Sequence, residues 1–502
     1  MADGLLNKAS IILTPTGYKA GTLYNVAPVV EPYEDFDFAR ASVASRVNSS
    51  GLVEMVGRTL GSELVTNGDF ATDSDWTLGT NWTIANGKAS ADGSSQGTLS
   101  QIETVAVIGK TYEIKYEISE YDSGNIRFYY GGVFTTFRDE DGSYTEYITA
   151  TNTDGTITTS IDTPFNGSID NVSVKEIIDT NNIPRISYDS NGDNGHILLE
   201  PTSTNLLPYS EDFTTWTINA ATTVYSNTTE TLSPSGEYNA SKITSDGSNG
   251  LYKAVAFGGG DNTKSIYLKG IVGGEQVILR DPAQTITQKT LTLTTDWVRY
   301  DLSENQTSTI GLWINEIPSN GIYMWGAQLE ALSYATSYIP TLTGSQEVRE
   351  TETATGAGSA DLINSTEGVL YAEIAALAND GTFREITLND GSGDNVVEIR
   401  YFNTDNLFQF VVRNGGSAVV ASSFALTDAT EFAKIAFSYK TDDYKMYVNG
   451  VEVATDTSGT MPSGLNNLSF NWGGSNPFYG KCKALAVFDE ALSDSELTQL
   501  TT

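Results

Sequence analysis

The chain lacks several things that chemistry usually needs. It has one cysteine, Cys482, so no internal disulfide can form and the fold must be held by its cores. It has one histidine, His196, which excludes a histidine-rich metal cluster and disfavours a Ser-His-Asp triad. In Asn194-Gly195-His196-Ile197, a turn entering a strand, that histidine reads as a structural residue at the surface. Positive charge is scarce: 28 Lys and Arg stand against 63 Asp and Glu, a net charge of −35. Nucleic acid, bound mostly through cations on phosphate, and anionic membranes are therefore not expected as partners. No apolar run approaches the ~20 residues of a membrane helix, so no membrane insertion is expected, and the start lacks the pattern of a secretory signal. Gly-rich phosphate loops, Cys clusters and serine elbows are missing as well.

What is present points to an all-β chain. Its 47 glycines, with frequent Ser, Thr and Asn, imply many turns, and 502 residues suggest roughly 3–4 domains of about 100–200 residues. One signature occurs twice. Residues 63–77 and 205–217 share an apolar pair, a turn, Asp-Phe (Asp69-Phe70; Asp212-Phe213), a polar gap and Trp-Thr (Trp76-Thr77; Trp216-Thr217). This predicts two copies of one domain type, with the signature as first strand and core tryptophan.

Residues 1–61 are nearly neutral and lack the alternation of a compact domain. Ile11-Ile12-Leu13 is a short strand candidate, and Phe36 and Phe38 lie in a second apolar stretch. So apolar a leader is expected to dock on a partner, through Ile11, Ile12, Leu13, Phe36 and Phe38, rather than wave freely. The run from Leu5 to Pro15, the run from Phe36 to Glu54, Ile183-Pro184-Arg185-Ile186-Ser187-Tyr188-Asp189 and the run from Leu198 to Phe213 together resemble structural proteins of tailed bacteriophages. The resemblance spans 1–61 and 183–341, and residues 62–178 interrupt it as an inserted domain. It implies a virion fibre or adhesin on head or tail, made in the host cytoplasm. Such a protein would be attached to other virion proteins by its N-terminus and be a homotrimer in many cases, although no heptads or collagen repeats appear here.

Residues 62–178 read as a β-sandwich: Tyr112, Ile114, Tyr116 and Ile118 alternate with polar residues, and Phe128 and Tyr130 continue the pattern. The opening Asn67-Gly68-Asp69-Phe70 and the closing Ile169-Asp170-Asn171-Val172 resemble carbohydrate-binding jelly rolls of families 4, 9 and 22. The resemblance implies a structural Ca²⁺ tying first and last strands, at Asn67, Asp69 and Asp170. Residues 179–200 are connecting strands, 201–345 a second jelly roll and 346–359 a polar linker. Residues 360–502 carry alternating Ile435, Phe437 and Tyr439, an Asn449-Gly450 hairpin, and a helix opened by a Ser493/Glu496 capping box. This pattern resembles laminin-G/concanavalin A-like lectin domains. The fold class expected is thus all-β: an extended N-terminal anchor and three β-sandwiches, the last lectin-like.

Binding is expected rather than catalysis. The Glu-x-Asp-x-x-Glu strand of hydrolases with the concanavalin-like fold is absent; Glu120-Tyr121-Asp122 begins it, but Asn125 ends it in the wrong domain. Aromatic and amide side chains suit sugars. The candidates are Asn471, Trp472, Asn476, Phe478 and Tyr479 in the last domain, Trp82, Tyr129 and Tyr130 in the first sandwich, and Trp313 in the second. Asp390 and Asp394 read either as a calcium-binding loop rim or as an ordinary hairpin. The partner expected is host-surface polysaccharide. A purely structural decoration protein and a glycan depolymerase are the alternatives.

Overall fold

The computed structural model describes residues 4–27, 34–102, 105–282, 287–306 and 309–502. The architecture is nearly all β, as the composition implies, and the described α-helix is Asp494–Thr501.

The two signatures do open two sandwiches. In sandwich I, one sheet runs in the order Gly142–Thr149, Thr111–Ser123, Asn166–Asp179, Lys88–Asp92, Trp82–Ala85, with Arg58–Glu63 also paired to Asn166–Asp179. The facing sheet runs Val133–Phe134, Arg127–Tyr130, Thr156–Ser160, Leu99–Ile102, Thr77–Leu78. Tyr112, Ile114, Tyr116 and Ile118 fill the space between them with Phe128 and Tyr130, as period-2 alternation requires. Sandwich II repeats the plan. The order Thr217–Ile218, Leu251–Val255, Ile310–Asn315, Gln276–Arg280, Gln288–Thr292 faces Thr223–Tyr225, Ser241–Thr244, Ile322–Glu330, Gly260–Gly270, Val298–Gln306.

Both copies carry the same β-bulge. Lys115 faces Ser173 and Glu117 faces Asp170, with an extra residue between; Ser265 faces Gln328 and Tyr267 faces Trp325 in the same way. Asn171 and Gly326 take up the bulge at φ +53° and +62°, a left-handed conformation that Asn and Gly adopt most readily. The signature closes onto this strand in both copies. Leu64 N donates to Val174 O and Val172 N to Gly68 O; Leu206 N donates to Leu329 O and Ala327 N to Ser210 O. It is a turn-rich loop rather than the expected first strand, and in the second copy Asp212 caps the short 3₁₀ turn Phe213–Thr215. Phe70 packs on Trp76 with ring centroids 5.3 Å apart, and Phe213 on Trp216 at 5.0 Å, all four buried.

The third unit corrects the expected domain layout. One of its sheets runs Ile186–Ser187, His196–Leu199, Gly480–Phe488, Glu367–Ala376, Ala433–Lys440, Tyr444–Val448, Val451–Asp456, and Ala9–Leu13 also pairs with Gly480–Phe488. The facing sheet runs Ser417–Ala425, Leu407–Asn414, Val396–Tyr401, Arg384–Asn389, Asn467–Ser469. The leader and the connecting strands are therefore structural parts of this unit, and both sandwiches are inserted into it. Their entry and exit points are adjacent. Thr180 N donates to Gly57 O at 2.7 Å, and Ser203–Asn205 pairs with Glu347–Arg349.

The leader is not an extended anchor. Ile11, Leu13, Phe36 and Phe38 lie in the main core of the lectin-like unit, and Ile12 points to the opposite face of the sheet, under the C-terminal helix. None is more than 4 % exposed, so these five side chains offer no docking surface. Each contributes about 1.5–3 kcal/mol of burial where it is, which a partner surface would have to replace. The helix itself matches its sequence: Ser493 and Glu496 make both capping-box bonds, and Leu492 and Leu497 are buried. His196 is structural but not at the surface. It is 6 % exposed, its Nδ1 bonds to Asn194 O, and burial lowers its pKa to about 4, keeping it neutral.

The expected linker is the least linker-like segment of all. Thr353–Thr355 pairs with Phe36–Ala39, and Arg349 and Glu352 are each 1 % exposed. They belong to a buried ion cluster where leader, connecting strands, linker and sandwich II meet. Arg185 Nε donates to Glu352 at 2.9 Å and its Nη2 to Glu200 at 2.9 Å; Arg40 Nη1 reaches Glu352 at 2.5 Å, and Arg349 Nη1 reaches Glu200 at 2.9 Å. Ser337 of sandwich II donates to Glu200 through both N and Oγ. Burial opposes the Glu200 charge, but Arg349, Arg185 and the serine bonds overcome it and hold the carboxyl down at about 2.

Candidate functional site

Strands of the lectin-like unit alternate strictly. Ile386, Leu388, Val397, Ile399, Phe408, Phe410 and Val412 point into the core, so Glu385, Thr387, Asn389, Glu398, Arg400, Gln409 and Arg413 share the outer face of the sheet. Register sets Arg400 opposite both Glu385 and Gln409, and Glu398 opposite Thr387. The guanidinium of Arg400 gives its Nε and Nη2 to Gln409 Oε1 at 3.0 and 2.8 Å, and its charge stacks 5.2 Å from the rings of Phe383 and Phe402.

The segment 471–479 folds over this face. Trp472 is half-buried: its Nε1 donates to Gly393 O at 2.9 Å, and Arg413 lies 5.2 Å from its ring. Two glycines permit that approach. A Cβ on Gly393 would stand 2.9 Å from the indole of Trp472, and one on Gly473, at φ +53°, would stand 2.9 Å from Gly393 N. Thr387 Oγ1 donates to Asn471 O at 2.7 Å, and Asn476 Nδ2 donates to Glu385 Oε1 at 3.1 Å. Asn389 and Asn467 extend the polar row, Asn467 Nδ2 donating to Asn389 Oδ1 at 2.8 Å. The result is a fixed set of carboxylate, amide, hydroxyl and guanidinium groups edged by indole and phenyl rings.

Glu385 and Glu398 are both fully buried. Arg400 Nη1 lies 3.4 Å from Glu385 and 2.8 Å from Glu398, and Arg413 lies 3.8 Å from Glu398. Burial, and then the charge of Glu398, lift the Glu385 carboxyl to about 7; burial also raises Glu398. Burial thus opposes ionisation of both carboxyls, and Arg400 and Arg413 oppose that effect.

The other sugar candidates divide. Phe478 is in the core against Phe470, and Tyr479 OH bonds to Thr351 Oγ1 of the linker. Trp82 and Tyr130 are core residues of sandwich I, 4 % and 1 % exposed, because both point between the sheets; they are not sugar platforms. Tyr129 points outward, its OH donating to Asp154. Trp313 lies on the outer face of sandwich II in one cross-strand row with Tyr252 and Arg280, 5.5 Å and 3.8 Å from it.

Two of the metal candidates, Asn67 and Asp390, hold turns through their side chains. Asn67 Nδ2 donates to Thr72 O and Ser74 O while its Oδ1 accepts from Thr72 N, closing the signature loop. Asp170 is raised by burial, opposed by the Asn171 N–H and reinforced by the nearby charges of Glu117 and Asp69. Asp390 accepts from Ser392 N, Ser392 Oγ and Asn395 Nδ2 in a hairpin between Arg384–Asn389 and Val396–Tyr401, while the Asp394 carbonyl accepts from Gly416 N. Among the described residues, no group of three or more His, Cys, Asp or Glu is arranged to hold a metal.

Asn471, Trp472 and Asn476, singled out in the sequence, come together on this face; Glu385, Glu398, Arg400 and Arg413, which join them there, were not. The signal was present: polar residues at every second position inside otherwise apolar strands mark the outer face of a sheet.

Residues 370–498, which hold this face, match the Concanavalin A-like lectin/glucanases superfamily. No curated protein matches the chain. Among solved structures, the carbohydrate-binding module 40 of a Ruminococcus gnavus intramolecular trans-sialidase, bound to α2,3-sialyllactose, is similar at 18 % identity over 30 % of this chain and 94 % of its own, with a TM-score of 0.25. Domain 4 of a Geobacillus stearothermophilus arabinanase in complex with arabinotriose is similar at 16 % identity over 30 % of this chain and 73 % of its own, with a TM-score of 0.22. The binding domain of botulinum neurotoxin DC in complex with rat synaptotagmin II is similar at 13 % identity over 30 % of this chain and 40 % of its own, with a TM-score of 0.25. The C-terminal unit of this chain is a concanavalin A-like domain.

Proposed function

We propose that the chain binds glycans without cleaving them, and that the outer sheet face beneath Trp472 is its principal sugar site. One observation carries the reading. Within the lectin-like residues, the partly accessible guanidiniums of Arg400 and Arg413 and the amides of Gln409, Asn471 and Asn476 stand beside an indole held by Gly393 and Arg413. Sugars need that combination, an apolar face for the ring and fixed partners for the hydroxyls. Hydrolysis asks for something else. A glycosidase sets two carboxyls about 5–10 Å apart on either side of an open bond-holding cleft. Glu385 and Glu398 share one guanidinium and neither reaches solvent.

The setting we propose is a tailed-bacteriophage virion, with the protein as a fibre or adhesin against host polysaccharide. A homotrimer would add weak sites through avidity. The sequence resemblance of 1–61 and 183–341 is the support for this setting. Attachment to other virion proteins would have to use a surface other than the apolar leader, whose side chains are internal.

Glycan-array binding by the full chain tests the reading. Trp472→Ala should weaken the bound glycan about tenfold or more, as removing a central tryptophan does at other binding surfaces. No glycan bound, or unaltered binding by a folded Trp472→Ala chain, would sink it; release of reducing sugar from host polysaccharide would replace it with a depolymerase.

A further inference from the structure

A cleft of about 350 Å³ lies between the two sandwiches, separate from the lectin-like unit. That is within the roughly 300–1,000 Å³ of small-molecule sites. One wall is the side of sandwich I where both sheets end, at strands Gly142–Thr149 and Val133–Phe134. The other wall is the signature loop of sandwich II with residues 341–345. Neither sandwich forms the cleft alone.

The lining groups are polar and oriented. Glu211 accepts from Tyr338 OH at 2.9 Å through Oε1 and from Asn239 Nδ2 at 3.1 Å through Oε2. On the facing wall Arg138 Nε lies 3.3 Å from Glu146, which also accepts from Tyr116 OH at 2.7 Å. The Oγ of Ser226, also in the wall, is inaccessible and has no hydrogen-bond partner. Phe134, 47 % exposed, and Leu342 supply apolar surface. Glu146 matches the charge of Arg138 and burial pushes the Glu211 carboxyl up to about 7, so Asp212 is the charge left in excess and the cleft is weakly acidic, on a chain already at −35. Anions are repelled from such a place, whereas hydroxyls can donate to the carboxylates and accept from Asn239.

We infer that this cleft is a second, independent carbohydrate site, which takes a neutral, hydroxyl-rich sugar of one or two residues and reads it with both sandwiches at once. Its amphipathic walls match the two sides of a pyranose, and its acid excess selects against carboxylated sugars. The inference does not depend on the lectin-like face, and the test keeps the two apart.

The experiment is calorimetric titration of the full chain carrying Trp472→Ala with neutral, amino and carboxylated oligosaccharides. A neutral oligosaccharide should bind. Thr145→Trp, which fills the cleft, and Asn239→Ala, which removes a donor, should each weaken it at least tenfold, with unfolding midpoints unchanged. The inference is overturned by no binding of any neutral sugar, by preference for the carboxylated ones, or by binding indifferent to both variants. It is also overturned if Thr145→Trp instead abolishes a concentration-dependent self-association. That result would assign the open sheet edge to a strand of a second copy.

Discussion

Glu352→Gln should be among the most destabilising conservative substitutions in this chain. Glu352 accepts from Arg185 Nε and Arg40 Nη1 and also from Glu200 N at 2.9 Å, with its side chain fully inaccessible. Glutamine keeps the shape and one acceptor, so packing is preserved, but the charge is lost and an amide NH2 is set against N–H donors. The cluster holds Arg40, Arg185 and Arg349 against Glu200 and Glu352, so one positive charge is already in surplus; the substitution makes it two, with no water to spread them. Removing one member of a buried ion group costs about 3–5 kcal/mol, mostly as the penalty on the partners left behind. Arg40→Met should cost less, because burial already lowers the Arg40 pKa and its loss relieves the surplus. The double variant should then show a coupling of about 1–3 kcal/mol. Urea unfolding of the full chain, followed by tryptophan fluorescence and far-ultraviolet circular dichroism, measures all three. The transition assigned to the lectin-like unit should shift, since leader, connecting strands and linker are all fastened to it there. A Glu352→Gln chain within 1 kcal/mol of the parent would refute the reasoning and make the cluster an incidental result of packing.

Glu385 gives a pH dependence of known sign. Its folded pKa of about 7 lies above its ordinary 4.5, so its ionisation is disfavoured in the fold, and the stability of the lectin-like unit should fall as pH rises from about 4.5 through 7. Glu385→Gln should flatten that slope and be more stable than the parent at pH 8, on the order of 2 kcal/mol, in thermal unfolding across a pH series. A separate expectation follows from the insertion of sandwich I. Because Gly57 and Thr180 are hydrogen-bonded neighbours, replacing residues 58–179 with a short glycine link should leave a folded remainder, whose lectin-like unit melts within a few degrees of the parent by calorimetry. Loss of that transition would mean the sandwich is needed for the unit it interrupts.

Local chemistry determined much of this protein from sequence alone. Period-2 alternation at Tyr112–Ile118, the Asn449-Gly450 turn and the Ser493/Glu496 box each act over a few residues, and each forms as its residues dictate. The repeated Asp-Phe…Trp-Thr signature was legible for the same reason, since Phe70 and Trp76, and Phe213 and Trp216, meet within one loop. What only the tertiary structure decided was pairing over long separations. Ile11 finds Val487 across the sheet, and Arg40 finds Glu352, through contacts that no local pattern encodes. A short apolar leader looks the same whether it waits for another protein or for a strand hundreds of residues later in its own chain. The candidate site divides the same way. Trp472 and its asparagines stand out in a Gly/Asn-rich loop, but Glu385, Glu398 and Arg400 become one site only when strand register sets them side by side on a single face.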